Sequence, residues 1–237
     1  MTTTQSASRT ARERARAELT REIKEEARRQ LAASGAQGLS LRSVARQLGM
    51  VSSALYRYFR SRDELLTALI IDAYDALGAA AEAASDALPA ADIRGRWHAT
   101  CAAIRDWALA NPHEYALIYG SPVPGYQAPQ TTVASAVRVV RVMGGILTDA
   151  TAGTRRAGAR HPEEPLPPEI APQVAIVAEA IAPGVDNGVL ARALIAWTQL
   201  FGMISFELFG QFVGSLEPAD AFFGYTVERM ADFVGLR

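Results

Sequence analysis

Ser52, Ser53, Tyr56 and Arg57 stand close together in the stretch GMVSSALYRYF (49–59). Hydroxyls both donate and accept hydrogen bonds, a guanidinium donates through a planar fork, and a phenol adds a flat face with a polar tip. Such a set suits the base edges of a DNA major groove and its flanking phosphates. Leu55 and Phe59, at i and i+4, would anchor the same short helix inward and leave the polar set at or near the outer face. Half-buried tyrosines with wet hydroxyls are the alternative, and for Tyr58 taken alone the two readings stay balanced.

A short helix needs neighbours to aim it. Ser40 is suited to N-cap a preceding helix whose Leu41, Val44, Ala45 and Leu48 share one face. Gly49 ends it and can adopt the left-handed conformation of a tight turn. Ala45 is small where the second helix, expected at about 51–58, must cross closely. The pair reads as a helix-turn-helix. Before it, Leu19, Ile23, Ala27 and Leu31 recur every four residues in an amphipathic helix over about 11–33, which ASGAQG (33–38) stops. After it, Ser61 and Glu64 form a capping box for a helix over about 62–84. Residues 1–10 are polar and without period, and read as a disordered arm.

Charge agrees with a polyanion at one end only. Residues 1–62 hold 13 of the 24 basic residues and 5 of the 25 acidic ones, so a basic first quarter precedes an acidic body. A merely solvated N-terminal segment is the bland alternative. The start of the chain has no apolar stretch of the kind that directs secretion, and Cys101 is the single cysteine, so a cytoplasmic protein without a disulfide framework is expected.

Beyond Pro89 no alternating β-branched run suggests a sheet. Helices are expected near 92–110, 113–120, 130–153, 168–181, 187–213 and 218–235, with a mobile connection at 154–168. The fold class is therefore all-α: an N-terminal three-helix domain holding the helix-turn-helix (11–60), then a larger helical domain (61–237), with helix 62–84 connecting them. Residues 194–214 approach the length of a membrane span, but Gln199, Glu207 and Gln211 interrupt them, and no membrane partner is expected. Two apolar stripes run along this segment: Leu194, Trp197, Phe201, Ile204 and Leu208 on one side, Ile195, Gly202, Phe206 and Phe209 on the other. One can face the chain's own core and the other a partner subunit. In the last helix Phe223, Val227, Met230 and Val234 form a further packing stripe.

The stretch LSLRSVARQLGMVSSALYRYFRSRDELL (39–66) resembles the DNA-binding signature of the TetR family of bacterial transcriptional regulators, and the likeness extends over roughly 12–80. The resemblance implies that Ser52, Ser53, Ala54, Tyr56 and Arg57 approach bases or adjacent phosphates. It implies backbone contacts for Ser40, Arg42, Tyr58 and Arg62, the last standing where the family usually has lysine. The arginine-rich lead-in (Arg9, Arg12, Arg14, Arg16) is longer than in shorter members, and such an arm can reach a neighbouring minor groove or phosphates. WTQLFGMISFELFGQF and NPHEYALIYGSPVPGY resemble the branch whose effector domain has a tryptophan–hydrophobic–glycine element. That likeness implies a homodimer joined as four helices through the segments near 187–213 and 218–235. It also implies a cavity for a small, largely apolar inducer. Trp107, Tyr115, Tyr119, Met143, Trp197 and Phe201 are the candidate lining, since aromatic and methionine side chains make adaptable apolar walls. Each can equally be ordinary core. His98, Cys101 and Arg105 lie within two helical turns and could add polar contacts.

Three functions compete. A ligand-responsive homodimeric repressor on double-stranded operator DNA is the first; a ligand-independent or architectural DNA-binding protein, with a filled body, is the second. An all-α enzyme is disfavoured: the histidines at 98, 113 and 161 have no clustered carboxylates, and neither a phosphate-cradling loop nor a nucleophile elbow appears. No catalytic residue, metal or other cofactor is expected. Arg57→Ala should weaken binding to a preferred duplex and relax sequence preference, whereas Arg62→Ala should weaken binding to all duplexes and lower the salt slope by about one. Titrations of both variants at two salt concentrations check this.

Overall fold

The structure is a computed structural model that describes residues 3–156 and 165–236, with side chains described over 10–153 and 165–236. Its helices are α1 (Thr3–Ser34), α2 (Leu41–Gln47), α3 (Ser52–Leu55), α4 (Arg62–Asp86), α5 (Ile93–Ala110), α6 (Pro112–Tyr119), α7 (Val133–Ala136), α8 (Arg138–Arg156), α9 (Ala171–Ile181), α10 (Asn187–Leu208) and α11 (Ala219–Val234). No strand occurs among the described residues, so the chain is all-α. His161 and most of the connection read at 154–168 lie outside the described residues.

Several helix limits differ from the sequence reading. α1 begins at Thr3, so the polar segment 1–10 is largely helical. Apolar period reports burial rather than helicity, and no glycine or proline interrupts the chain before Gly35. α3 is only four residues long, and the chain leaves it through tight turns in which Arg57 N donates to Ala54 O (3.2 Å) and Tyr58 N to Leu55 O (2.8 Å). The helix expected over 130–153 breaks between α7 and α8 with a bend of 42°. α10 stops at Leu208, and Gly210 and Gly214, at φ 76° and 75°, turn the chain away.

Two compact units result: Met1–Ala73 with His113–Thr132, and Tyr74–Pro112 with Val133–Arg237. The division falls inside α4, after Ala73, and not at the start of that helix. In the first unit Ile23, Ala27 and Leu31 of α1 are buried, as are Leu41, Val44 and Ala45 of α2, and Leu55 and Phe59. The turn between α2 and α3 closes by two backbone bonds, Gly49 N to Arg46 O (3.2 Å) and Met50 N to Ala45 O (2.8 Å), with Gly49 at φ 64°. This is a Schellman motif, which only a residue tolerant of the left-handed region completes cheaply.

In the second unit α5 buries Trp97, Cys101, Ile104 and Ala108. Arg105 binds Glu207 through Nε (2.7 Å) and Nη2 (2.5 Å), reaches Asp220 (2.6 Å), and lies 4.8 Å from the Phe223 ring centre. The Glu207 and Asp220 carboxylates hold this guanidinium charged and raise its pKa further. α10 is long and apolar enough to cross a bilayer, yet Leu200, Phe201, Met203 and Ile204 are buried in the unit and Glu207 is paired. The stripe Phe223, Val227, Met230 and Val234 is also buried within the chain, so it is intramolecular core. On the side of α10 away from that core Ile195 and Phe206 are each 55% exposed.

Gly49→Ala should destabilise the protein by about 1–2 kcal/mol, because the added Cβ has open space around it and the cost is the left-handed backbone alone. A lower urea midpoint at unchanged m-value is the expected result.

Candidate nucleic-acid interface

The helix-turn-helix is held on α1. Glu26, buried on α1, accepts from Arg29 Nε (2.7 Å) and Gln30 Nε2 (3.3 Å), and the Gln30 side-chain Oε1 accepts from Ser40 N (3.4 Å). Ser40 Oγ in turn accepts from Ser43 N (3.4 Å), which makes Ser40 the N-cap of α2. Its side chain is thus occupied in shaping the helix start, while Arg42 two residues on is exposed. At the next helix boundary Ser61 Oγ accepts from Glu64 N (3.1 Å), and Glu64 reaches back to Arg60 N (2.6 Å). The second bond falls one residue before the cap itself.

Around α3 the polar set is open. Ser53, Tyr56 and Arg57 are exposed, Ser52 and Ala54 are half-buried, and Tyr58 is half-buried. Leu55 beneath them has no exposure, so the face opposite it is the one that projects. Tyr56, at 42% exposure, has its ring free to lie along a groove wall. Tyr58 packs instead: the Arg16 guanidinium lies 5.1 Å from its ring centre, and Arg16 Nη2 donates to Arg57 O (3.3 Å).

Arg62 also bonds inward. Its Nη2 donates to Ala36 O (2.7 Å) and its Nε to Leu39 O (3.2 Å), with Nη1 3.5 Å from Asp63. These carbonyls belong to the link between α1 and α2, so the guanidinium ties that link to the start of α4. The sequence gives no sign of this, because an arginine between two polar residues reads as a surface cation.

Ion pairs decide the sign of the surface. Glu18 and Glu25 pair with Arg21, and Glu26 with Arg29. Asp72 pairs with Lys24 (2.7 Å) and Arg28 (2.8 Å), and Arg28 also takes Glu114 (2.8 Å). Arg42, Arg46, Arg57 and Arg60 are exposed, and no ion pair is found for them among the described residues. The acidic groups of this unit are largely absorbed by the sides of α1 and α4, which leaves the helix-turn-helix cationic. A cationic surface with open hydroxyls can bind a phosphate backbone and read base edges.

The candidate cavity residues are divided. In the second unit Met143 and Trp197 line one apolar cavity of about 30 Å³, together with Trp97, Val140, Leu147 and Ile181. The Phe201 ring packs tilted at 44° against Trp197 with ring centres 4.4 Å apart, and Trp107 is half-buried on α5. In the first unit Tyr115 and Tyr119 pair with each other at 5.3 Å. Trp97, fully buried, is a lining residue that sequence reasoning missed, although the spacing Trp97–Cys101–Ile104 on one helical face could have flagged it. Of the three polar candidates, His98 faces Glu228 (2.5 Å), Arg105 is taken up by Glu207, and burial pushes the Cys101 thiol up, which keeps it protonated. No cluster able to hold a metal ion occurs among the described residues.

Comparison with known proteins is concordant along the chain. Residues 23–69 match the family described as bacterial regulatory proteins, tetR family. Residues 97–230 match a tetracyclin repressor-like C-terminal domain. The HTH-type transcriptional regulators Rv1816 of Mycobacterium tuberculosis H37Rv and Mb1846 of Mycobacterium bovis are each 40% identical over 198 residues, spanning 84% of this chain and 84% of the relative. The crystal structure of SCO4313 aligns with a TM-score of 0.75 at 34% identity, covering 93% of this chain and 98% of that one. A Rhodococcus sp. RHA1 protein of unknown function aligns with a TM-score of 0.67 at 25% identity, covering 92% and 95%.

Arg62→Ala strips two backbone carbonyls of a charged donor, so it should cost roughly 1–3 kcal/mol of stability before any DNA is added. Arg62→Lys, without the fork, should recover less than half of the loss. Urea denaturation of the free protein measures both.

Proposed function

The chain belongs to the tetR family of bacterial regulatory proteins and is a DNA-binding transcriptional regulator, not an enzyme, and from that premise we propose that it works as a homodimeric repressor released from its operator by a small, largely apolar molecule. The observation that carries the DNA contact is the partition of charge: acids paired along α1 and α4, arginines unpaired around α2 and α3. In this proposal Ser52, Ser53, Ala54, Tyr56 and Arg57 meet base edges and nearby phosphates, and Arg42 meets the backbone.

The open side of α10, with Ile195, Gly202, Phe206 and Phe209, and the exposed Tyr225 and Phe233 of α11 support pairing through these two helices. Two recognition helices in such a dimer would meet major-groove faces about 34 Å apart, so a change of a few ångströms in their separation breaks simultaneous binding. An inducer achieves this only by favouring one arrangement over the other.

The cavity that would take the inducer is the one lined by Met143 and Trp197. Its volume, about 30 Å³, favours the second reading, a regulator without a ligand, since drug-sized ligands occupy about 300–1,000 Å³. Induction then requires that α8 or α9 move to enlarge it.

Fluorescence anisotropy tests the proposal, with a labelled duplex from upstream of the protein's own gene set against an unrelated duplex at two salt concentrations. Selective, salt-sensitive binding is the expected result. Release of the bound duplex by apolar compounds supports induction, and the same compounds should raise the melting temperature of the free protein. No binding to any duplex at low salt would overturn the assignment of residues 40–62.

A further inference from the structure

We propose that Arg16 is a positioning residue for the recognition segment and not a phosphate contact, an inference that rests on the DNA-binding reading above. The segment is short of internal support. α3 spans four residues, its N-cap Val51 offers no side-chain bond, and its exit is made of tight turns. Arg57, the residue with most to offer a base edge, sits in that exit, beyond the last α-helical residue.

Arg16 comes to it from a distant part of the chain. Its Nη2 donates to the carbonyl of Arg57 itself (3.3 Å), and its guanidinium carbon lies over the Tyr58 ring, 5.1 Å from the ring centre. One side chain therefore caps a free carbonyl at the end of the segment and clamps the next residue. One donor and a flat, delocalised cation over the ring are needed at once, which the planar guanidinium supplies and the ammonium of lysine does not. The guanidinium is engaged over the recognition turn, so the lead-in arginines do not share one role.

The two roles separate through Arg16→Lys and Arg16→Ala, measured on the duplex that wild type selects and on an unrelated duplex. A positioning residue predicts that both variants lose about tenfold on the selected duplex, keep their affinity for the unrelated one within about twofold, and change the salt slope by less than about half a unit. A phosphate contact predicts the reverse pattern: Arg16→Lys binds as wild type, and Arg16→Ala weakens on both duplexes with the slope lowered by about one. That pattern would overturn the proposal.

Hydrogen exchange on the free protein decides the matter without DNA. Amides of 56–59 should exchange faster in both variants while the protection of α4 stays unchanged, and unaltered exchange at 56–59 overturns the proposal. If wild type selects no duplex, the regulator reading fails by that result, and the exchange measurement still reports on Arg16.

Discussion

Four residues make barely one hydrogen-bonded turn, and one turn fixes more backbone freedom than its hydrogen bonds return. α3 exists because the rest of its unit holds it. Leu55 and Phe59 are buried beneath it, the Gly49 turn fixes its approach, and Arg16 meets its exit. Upstream, the bonds from Arg62 to Ala36 O and Leu39 O fix the link that sets α2 against α1. The side chains proposed to meet DNA are therefore borne by a segment whose conformation is tertiary in origin. A small loss in any of these supports reaches Arg57 as a change of aim.

Electrostatics follow the same division of labour. Exposed ion pairs contribute little stability each, and those of α1 and α4 matter more for what they neutralise. Asp72 and Glu114 gather Lys24 and Arg28, so lysine and arginine side chains that could spread over a surface are drawn to one flank. Arg42, Arg46, Arg57 and Arg60 keep their charge for an external anion. The net charge of −1 hides this arrangement entirely.

Much of the scaffold was legible in the sequence because it depends on local rules. The Ser40 cap, the glycine turn, the inward pair Leu55 and Phe59, and the all-α class each follow from residue type and spacing. What stayed hidden depends on long-range partners. Arg16 and Arg62 read as surface cations until their acceptors, 41 and 23 to 26 residues away, are known. Helix length was misread for a related reason. Period marks the buried face, so α1 begins well before the first residue of its apolar stripe, and α3 stops where the chain brings Phe59 inward. The stripe on α11 was visible as a stripe, but spacing cannot say whether its cover is the same chain or another copy.

The body shows what an inducer would have to overcome. Gly144 of α8 approaches the Ile181 carbonyl of α9 so closely that a Cβ would sit 2.2 Å from that oxygen. The two helices touch backbone to backbone beside the cavity, and side-chain rotation alone cannot enlarge it much. Six residues earlier, at its first residue, α8 is fixed by Arg138, which binds Glu82 through Nε (2.9 Å) and Nη2 (2.5 Å) and Asp75 through Nη1 (3.0 Å), over the surface of Gly78. The Arg138 bonds hold the Glu82 carboxyl below its usual range. α8 is thus wedged against α9 at one point and clamped to α4 at another. A ligand that parts α8 from α9 would act on a helix already tied to α4, so the displacement is transmitted or the clamp breaks. Transmission requires the ligand to favour the expanded cavity by more than the cost of opening it, whereas tight binding to both states would change nothing.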